Sequence, residues 1–291
     1  MALYLGEWIQ LLGVQADMDL SWSMITSMAL VLSVAGSAHG NEAEAWVPET
    51  PPGLAPCTSP IHALTSLPRD LGEEVRYGIE AMHIPLGSAD LTISRAGTFA
   101  GQPVTEYRAE VRSIGIADAL IQVEGHAAAL VTDADARPVQ AAARYTYQRD
   151  ARREMLRFGE NGRRVDSERV VKGKQVVQSP LFKEPVYDLL TSFYVARRLP
   201  PSVRGCVVIY AGQEAYTLWL SPEGVEEFDT IFGKRRAERY GVQYASNRNR
   251  AVHELSLWID AQEPRLPLRV EGKNRWRPVA TLEHYQKGKK P

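Results

Sequence analysis

Few residues in this chain are of types that do chemistry, and their spacing limits what they can do. Six histidines are present; His39 lies in an N-terminal apolar stretch, and His62, His83, His126, His253 and His284 stand far apart. None of them has the short spacing that places two imidazoles on one metal ion, and no close Cys pair completes a zinc set. Asp133 and Asp135 offer two carboxylates, but an Asp-Ala-Asp run between strand patterns reads as turn chemistry rather than a cation site. The Gly-x-Ser-x-Gly elbow, the phosphate-cradling glycine loop and the dinucleotide fingerprint are absent. No catalytic, metal-ligating or cofactor-binding residue is expected, and no cofactor.

Two features remain. Cys57 and Cys206 are the only cysteines. In an oxidising compartment they can pair, and closing so long a loop would stabilise the fold by roughly 4–5 kcal/mol. Two separate buried thiols are the alternative, because sequence does not fix their distance. The second feature is a basic run. Between Arg149 and Lys174 stand nine Lys and Arg against five acids, led by Arg149, Arg152, Arg153, Arg157, Arg163 and Arg164. These six could form a patch facing anionic lipid or a polyanionic wall polymer. The plainer reading is the solvated face and charged edges of a long hairpin.

These residues must be positioned by strands. From Glu74 the pattern alternates: Val75, Tyr77 and Ile79, then Ala89, Leu91 and Ile93, then Tyr107, Ala109 and Val111, each set separated by polar residues. Period two with one wet face marks antiparallel strands. Further strands are expected at 120–123, 126–132, 143–148, 154–158 and 164–171, with Gly-, Asp- and Pro-containing breaks between them. Over 186–197 the period changes. Val186, Leu189, Leu190, Phe193 and Tyr194 share one helical face, Pro185 suits the first turn, and Pro200-Pro201 ends the helix. Strands resume at 207–210, 215–220, 226–231, 235–244, 253–260, 266–271 and 278–285. In the last hairpin but one, Trp258 faces away from Leu257 and Ile259, packed on Pro267 or diagonal to Arg269, with a structural role favoured over a binding one.

About a dozen antiparallel strands cannot stay a flat open sheet. The expected fold is mainly β: a strongly curved antiparallel sheet or partly open barrel, with the 186–197 helix on its concave side.

Upstream, Met24 to Ala35 is an apolar run followed by Gly-Ser-Ala-His-Gly, which reads as a signal-peptide core and cleavage site within residues 1–40. No basic residue precedes it, contrary to the usual pattern. Residues 41–73 read as a Pro-rich acidic linker, 74–286 as a single β-rich domain, and 287–291 as a disordered tail. The net charge of the whole chain is −1. Residues 1–57 hold six acids and no Lys or Arg, which leaves the remainder mildly basic, far below a nucleic-acid signature. Neither a nucleic-acid partner nor a transmembrane span in the mature chain is expected.

The order of several motifs resembles the bacterial domain-of-unknown-function family 3108. Tyr77 to Leu91, through Gly87, is similar to its opening hairpin. Asp188-Leu-Leu-Thr-Ser-Phe-Tyr194-Val-Ala-Arg197 resembles its Asp-x-x-Ser-x-x-Tyr-x-x-Arg helix. Tyr210 to Tyr216 resembles its Asp-Gly-x-x-x-Tyr hairpin, with Ala211 standing where Asp would. Glu227 to Gly233, Trp258 to Asp260 and Arg265 to Pro267 complete the order. The resemblance implies an exported β-rich protein of the Gram-negative envelope. It implies no reaction, because the family has no established catalytic residues to carry over.

The leading reading is a non-catalytic periplasmic protein, peripheral to the outer membrane, that holds a lipid or other amphiphile in its curved sheet. A scaffolding protein acting on an envelope protein partner through sheet edges or the basic patch is the alternative. A hydrolase of envelope glycans or lipids ranks last. An apolar cavity beside the helix would favour the first.

Overall fold

Alternation along the chain becomes a single antiparallel sheet in which inward residues are mostly apolar and outward ones mostly polar. The computed structural model describes residues 57, 60–61, 66–147, 149–247 and 251–290. The expected signal peptide at 1–40 and most of the expected linker lie outside them. In chain order the strands are β1 (Glu74–Ala81), β2 (Ile84–Phe99), β3 (Gln102–Ser113), β4 (Val123–Thr132), β5 (Pro138–Tyr147), β6 (Asp150–Gly159), β7 (Arg164–Val171) and β8 (Lys174–Gln178). After a helical crossing come β9 (Gly205–Ala211), β10 (Glu214–Thr230), β11 (Gly233–Ser246), β12 (His253–Asp260), β13 (Pro267–Gly272) and β14 (Pro278–Gln286).

The sheet order is β8-β7-β6-β5-β4-β3-β2-β1-β14-β13-β12-β11-β10-β9. Two meanders, β1–β8 and β9–β14, are joined where β1 pairs with β14, Val75 opposite Tyr285 and Ala81 opposite Pro278. The edge strands β8 and β9 do not pair, so the sheet is not closed into a barrel. The segment 179–188 that follows β8 crosses the seam instead. Val165 N–H donates to Pro180 O and Phe182 N–H to Arg163 O on the β7 side; Tyr187 N–H donates to Val208 O and Tyr210 N–H to Tyr187 O on the β9 side.

Among the described residues the expected helix lies on the concave side of the sheet, and a second, short α-helix accompanies it. α1 (Gly115–Ile121) follows β3 and α2 (Leu189–Ala196) follows the seam segment. The strand expected at 120–123 is therefore corrected. Ile114 N–H closes the β3 edge on Leu86 O, Gly115 turns the chain at φ +57°, and Asp118 N–H and Gln122 N–H then make helical bonds. A left-handed φ is one that glycine adopts without a Cβ penalty.

α2 fills the concave side. Asp188 caps it, accepting from Thr191 N–H at 3.0 Å. Leu190, Phe193 and Tyr194 pack on Tyr77 and the β1–β6 face, while Leu189 packs on Ile209, Leu255 and Leu257 of the other meander. Arg197, just past the helix, is buried against buried Glu73, with Arg197 Nη2 donating to Glu73 Oε2 at 3.0 Å. Tyr285 Oη also donates to Glu73.

Residues 66–73 and 287–290, within the expected linker 41–73 and tail 287–291, pack on the sheet. Leu67 and Glu73 are buried, Tyr107 Oη donates to Pro68 O, and Leu71 and Lys289 exchange backbone hydrogen bonds. Their apolar and backbone groups complete the sheet beyond the last alternating residues, where no periodic signal remains. In the 57–61 segment Cys57 is joined to Cys206 in a disulfide, Cα atoms 5.7 Å apart, and Ile61 N–H donates to Cys206 O. Among the described residues no helix is long and apolar enough to cross a membrane.

Candidate functional site: a small-residue wall beside the central helix

On the first meander the strand register stacks inward residues into lateral rows. The deepest row reads Ile93, Tyr107, Ala129, Ala141, Leu156 and Ser167. Next comes Leu91, Ala109, Ala127, Ala143, Glu154 and Arg169, and then Ala89, Val111, Gly125, Tyr145, Arg152 and Val171. Three strands thus present Ala or Gly where a sheet interior ordinarily presents Val, Ile or Leu. Leu189, Leu190 and Phe193 of α2 face this wall across a partly open apolar cavity of about 150 Å³. The small side chains do not reach the helix, and the void between them is the result. Gly125 also admits Tyr145: a Cβ there would lie 3.2 Å from the Tyr145 Cβ.

The cavity has one polar corner. Glu154 on β6 is buried and accepts from Gly212 N–H at 3.0 Å and Gln213 N–H at 3.1 Å, both in the β9–β10 turn. Burial pushes its carboxyl above the usual glutamate value, only partly offset by those N–H groups and by Arg169. Arg169 donates to Gly212 O and, at 3.2 Å, to Tyr145 Oη. Gln213 Nε2 donates to Val176 O of β8. The corner is thus a satisfied network tying the two sheet edges together at the cavity wall. Asp188, at the helix start, also has its carboxyl raised by burial, against the pull of its Thr191 and Leu190 hydrogen bonds. Glu154 and Asp188 are each engaged with backbone N–H groups, which suits positioning more than proton transfer. Among the described residues no three His, Cys, Asp or Glu converge as a metal site would require.

The six arginines read from sequence do not converge. Arg152 points inward with its guanidinium over Tyr145 and Tyr147, 5.9 and 5.5 Å from the ring centroids. Arg153 is exposed opposite Arg144, and exposed Arg157 stands opposite Asp166. Arg149 sits in the β5–β6 turn. At the far end of that hairpin Arg163 and Arg164 lie 3.8 and 3.9 Å from Glu160, and Arg164 also pairs with Asp166 at 3.2 Å. Strand alternation sends consecutive residues to opposite faces, which divides the run. Trp258 lies on the outer face yet is buried. Phe228 meets it edge-on, Nε1–H donates to Glu226 at 3.0 Å, and the guanidinium groups of Arg239 and Arg269 lie 5.3 and 5.7 Å from its centroid. Arg269 is directly opposite in the ladder rather than diagonal. Sequence reading places the turn at Gly212–Gln213 but missed the contact of Glu154 with it, and it missed the alanine rows. The last were visible only as Ala-rich strands whose register was not known.

A family model described as "Protein of unknown function (DUF3108)" matches residues 74–276. Among solved structures, the chain is similar to a β-barrel-like protein of the domain of unknown function DUF1849 from Brucella abortus. Identity is 8%, with 75% of this chain and 98% of that chain covered and a TM-score of 0.51, a likeness of fold alone. Weaker likenesses, at TM-scores of 0.35 and 0.33, are to an inferred exported protein with a YmcC-like fold from Bacteroides fragilis and an inferred lipoprotein from Parabacteroides distasonis. They share 9% and 8% identity and cover 77% of this chain and 99% and 100% of theirs. No curated protein matches the chain.

Proposed function

The chain belongs to the DUF3108 family of proteins of unknown function, and from that premise and its cavity we propose that it is a non-catalytic carrier of an apolar or amphiphilic molecule in the periplasm. The observation that carries this is the Ala/Gly wall facing α2. Fourteen strands around one short helix would normally be filled by large side chains, and here three adjacent strands withhold them. An enclosed apolar cavity of about 150 Å³ accepts a small apolar solute, and this cavity has that volume and a mainly apolar lining. The bound part is then the end of a hydrocarbon chain, with the rest of the molecule leaving through the open side. The apolar run at 24–35 and the small residues after it support export. The disulfide between Cys57 and Cys206 is of the kind an oxidising compartment maintains.

Native mass spectrometry of protein purified from the periplasm tests the reading. We expect co-purified lipid or fatty acid on the wild type and its loss in Ala127→Leu, which fills the wall. A wild type that emerges empty and takes up no fluorescent fatty acid sinks the carrier reading. Scaffolding has its own supporting observation: β8 leaves one edge without a strand, with Val176 and Val177 exposed on it. In that case envelope partners captured by the wild type are lost when both valines become lysine.

A further inference from the structure

The two ends of the curved sheet differ. At one end lie the β1–β2, β3–β4, β5–β6, β7–β8, β9–β10, β11–β12 and β13–β14 connections; the other five hairpin connections lie opposite. Among the described residues, the first set holds five cations (Arg149, Lys172, Lys273, Arg275, Arg277) and one acid, Asp118. The opposite set holds three cations and four acids: Arg137, Arg163 and Arg265 against Asp133, Asp135, Glu160 and Glu263.

Exposed aliphatic residues divide the same way. Among the described residues Met82, Ile84, Ile114, Ile116, Leu120 and Val252 belong to the first end and Ile231, with the aromatic Phe99, to the second, while Val176, Val177 and Val225 lie along strands. Ile116 and Leu120 are 70% and 74% exposed, one turn apart on α1, while Ala117 on the other side of that helix is buried against Val123 and Tyr147. The chain pairings make this surface continuous. Ala81 lies opposite both Ile84 and Pro278, which places Arg277 beside the Met82 turn, and Ile114 N–H bonds Leu86 O, which places α1 beside Ile84. Through Ala117 and Tyr147 the helix reaches the β5–β6 turn with Arg149. The result is an aliphatic centre with Lys273, Arg275 and Arg277 on one flank and Arg149 and Lys172 on the other; Lys172 pairs with Asp150, Arg277 with Glu271, and Lys273 with Glu223 and Glu254. The cavity lies under the same end: its lining rises from Ala141 and Leu156 to Gly87, Ser113 and Val123 at the strand ends below α1.

We propose that this end of the sheet docks on a membrane surface rich in anionic lipid headgroups, Ile116 and Leu120 entering the headgroup–acyl boundary and the flanking cations, led by Arg149 and Arg275, resting on the phosphates. Aliphatic groups that insert, ringed by cations, are what an anionic bilayer surface selects. A protein partner would ask for a shaped and hydrogen-bonded surface, whereas this one offers protruding aliphatic side chains. The proposal goes beyond the carrier reading and stands without it.

Sedimentation with vesicles of phosphatidylcholine, with and without phosphatidylglycerol, tests it on the full mature chain. Wild type is expected to bind the anionic vesicles, and to lose that binding as salt rises. Ile116→Ser/Leu120→Ser is expected to weaken it by about tenfold or more. Arg149→Gln/Arg275→Gln is expected to weaken it and flatten its salt dependence. Phe99→Ser/Ile231→Ser, at the opposite end, should leave it unchanged. Uptake of a fluorescent fatty acid without vesicles separates docking from carriage: the Ile116/Leu120 variant should still load. Wild type that ignores anionic vesicles overturns the proposal. So does equal weakening by the opposite-end variant, or an Ile116/Leu120 variant that loses self-association while keeping vesicle binding.

Discussion

The two meanders share one antiparallel ladder and one central helix, yet their interiors are built differently. β9–β14 offers α2 large side chains: Tyr216, Leu220, Tyr240, Val242, Leu255 and Ile259. The cavity left beside them is about 90 Å³. β1–β8 offers Ala109, Ala127, Ala129, Ala141, Ala143 and Gly125 over the central strands, and the larger cavity stands there. The ladders are equally regular on both sides, so the backbone does not make the difference. Side-chain volume does. One meander supplies the packing that holds the helix, and the other leaves room beside it.

That comparison is best broken at the joint both meanders share. Glu73→Ala leaves Arg197 buried and unpaired at the end of α2, and removal of one partner of such a pair costs about 3–5 kcal/mol. Urea unfolding followed by fluorescence should show that loss, and a change below about 1 kcal/mol would mean that the pair does not hold the helix. The next test sets the two interiors against each other. Ile259→Ala on the filled side is expected to cost about 2–5 kcal/mol. Ala127→Leu on the open side, placed into existing space, should change stability by less than about 1.5 kcal/mol. Equal costs would mean that the two interiors are equally packed.

The smallest expected effect is a titration. Burial of Glu106 on β3 pushes its carboxyl up, but hydrogen bonds from Arg108 and Arg95 outweigh this and hold it below the ordinary 4.5. Its stabilisation is present above 4.5 and is lost as pH falls through the lowered folded value. Glu154 has the opposite sign. Its raised carboxyl contributes below the ordinary value and loses that contribution as pH rises through the folded one. Glu106→Gln should therefore lower the melting temperature at neutral pH, converge on the wild type as pH falls through the lowered carboxyl value, and so flatten the acid side of the profile. An unchanged acid limb would count against the Arg108–Glu106–Arg95 cluster.

Much of this architecture was legible because alternation and helical periodicity are local signals. Val75, Tyr77 and Ile79 face inward as their spacing requires, and the 186–197 pattern forms α2, shortened at its start because Asp188 caps it. What was not legible depends on register or on distant partners. The strands expected at 215–220 and 226–231 are one strand, β10, bent by an irregularity between Pro222 and Gly224 that reads as a break in sequence. α1 is only seven residues long, too short for a period to emerge. The alanine rows require knowing that Ala109, Ala127 and Ala143 fall opposite one another. Glu154 and the Gly212 turn are 58 residues apart and meet only because the seam brings β6 to β9.

That seam has a consequence for capacity. A fully laddered barrel has a girth set by its strand number and shear, and it cannot widen without breaking a whole row of hydrogen bonds. This sheet is a cuff fastened by a clasp. On the β9 side the clasp consists of two backbone bonds at Tyr187, with the Glu154–Arg169 corner beside them. Freeing a few hydrogen bonds, each worth about 1 kcal/mol net, lets the cuff ease outward while both meanders stay intact. The volume it can enclose is then set by how far the clasp yields, not by the cavity it encloses at rest.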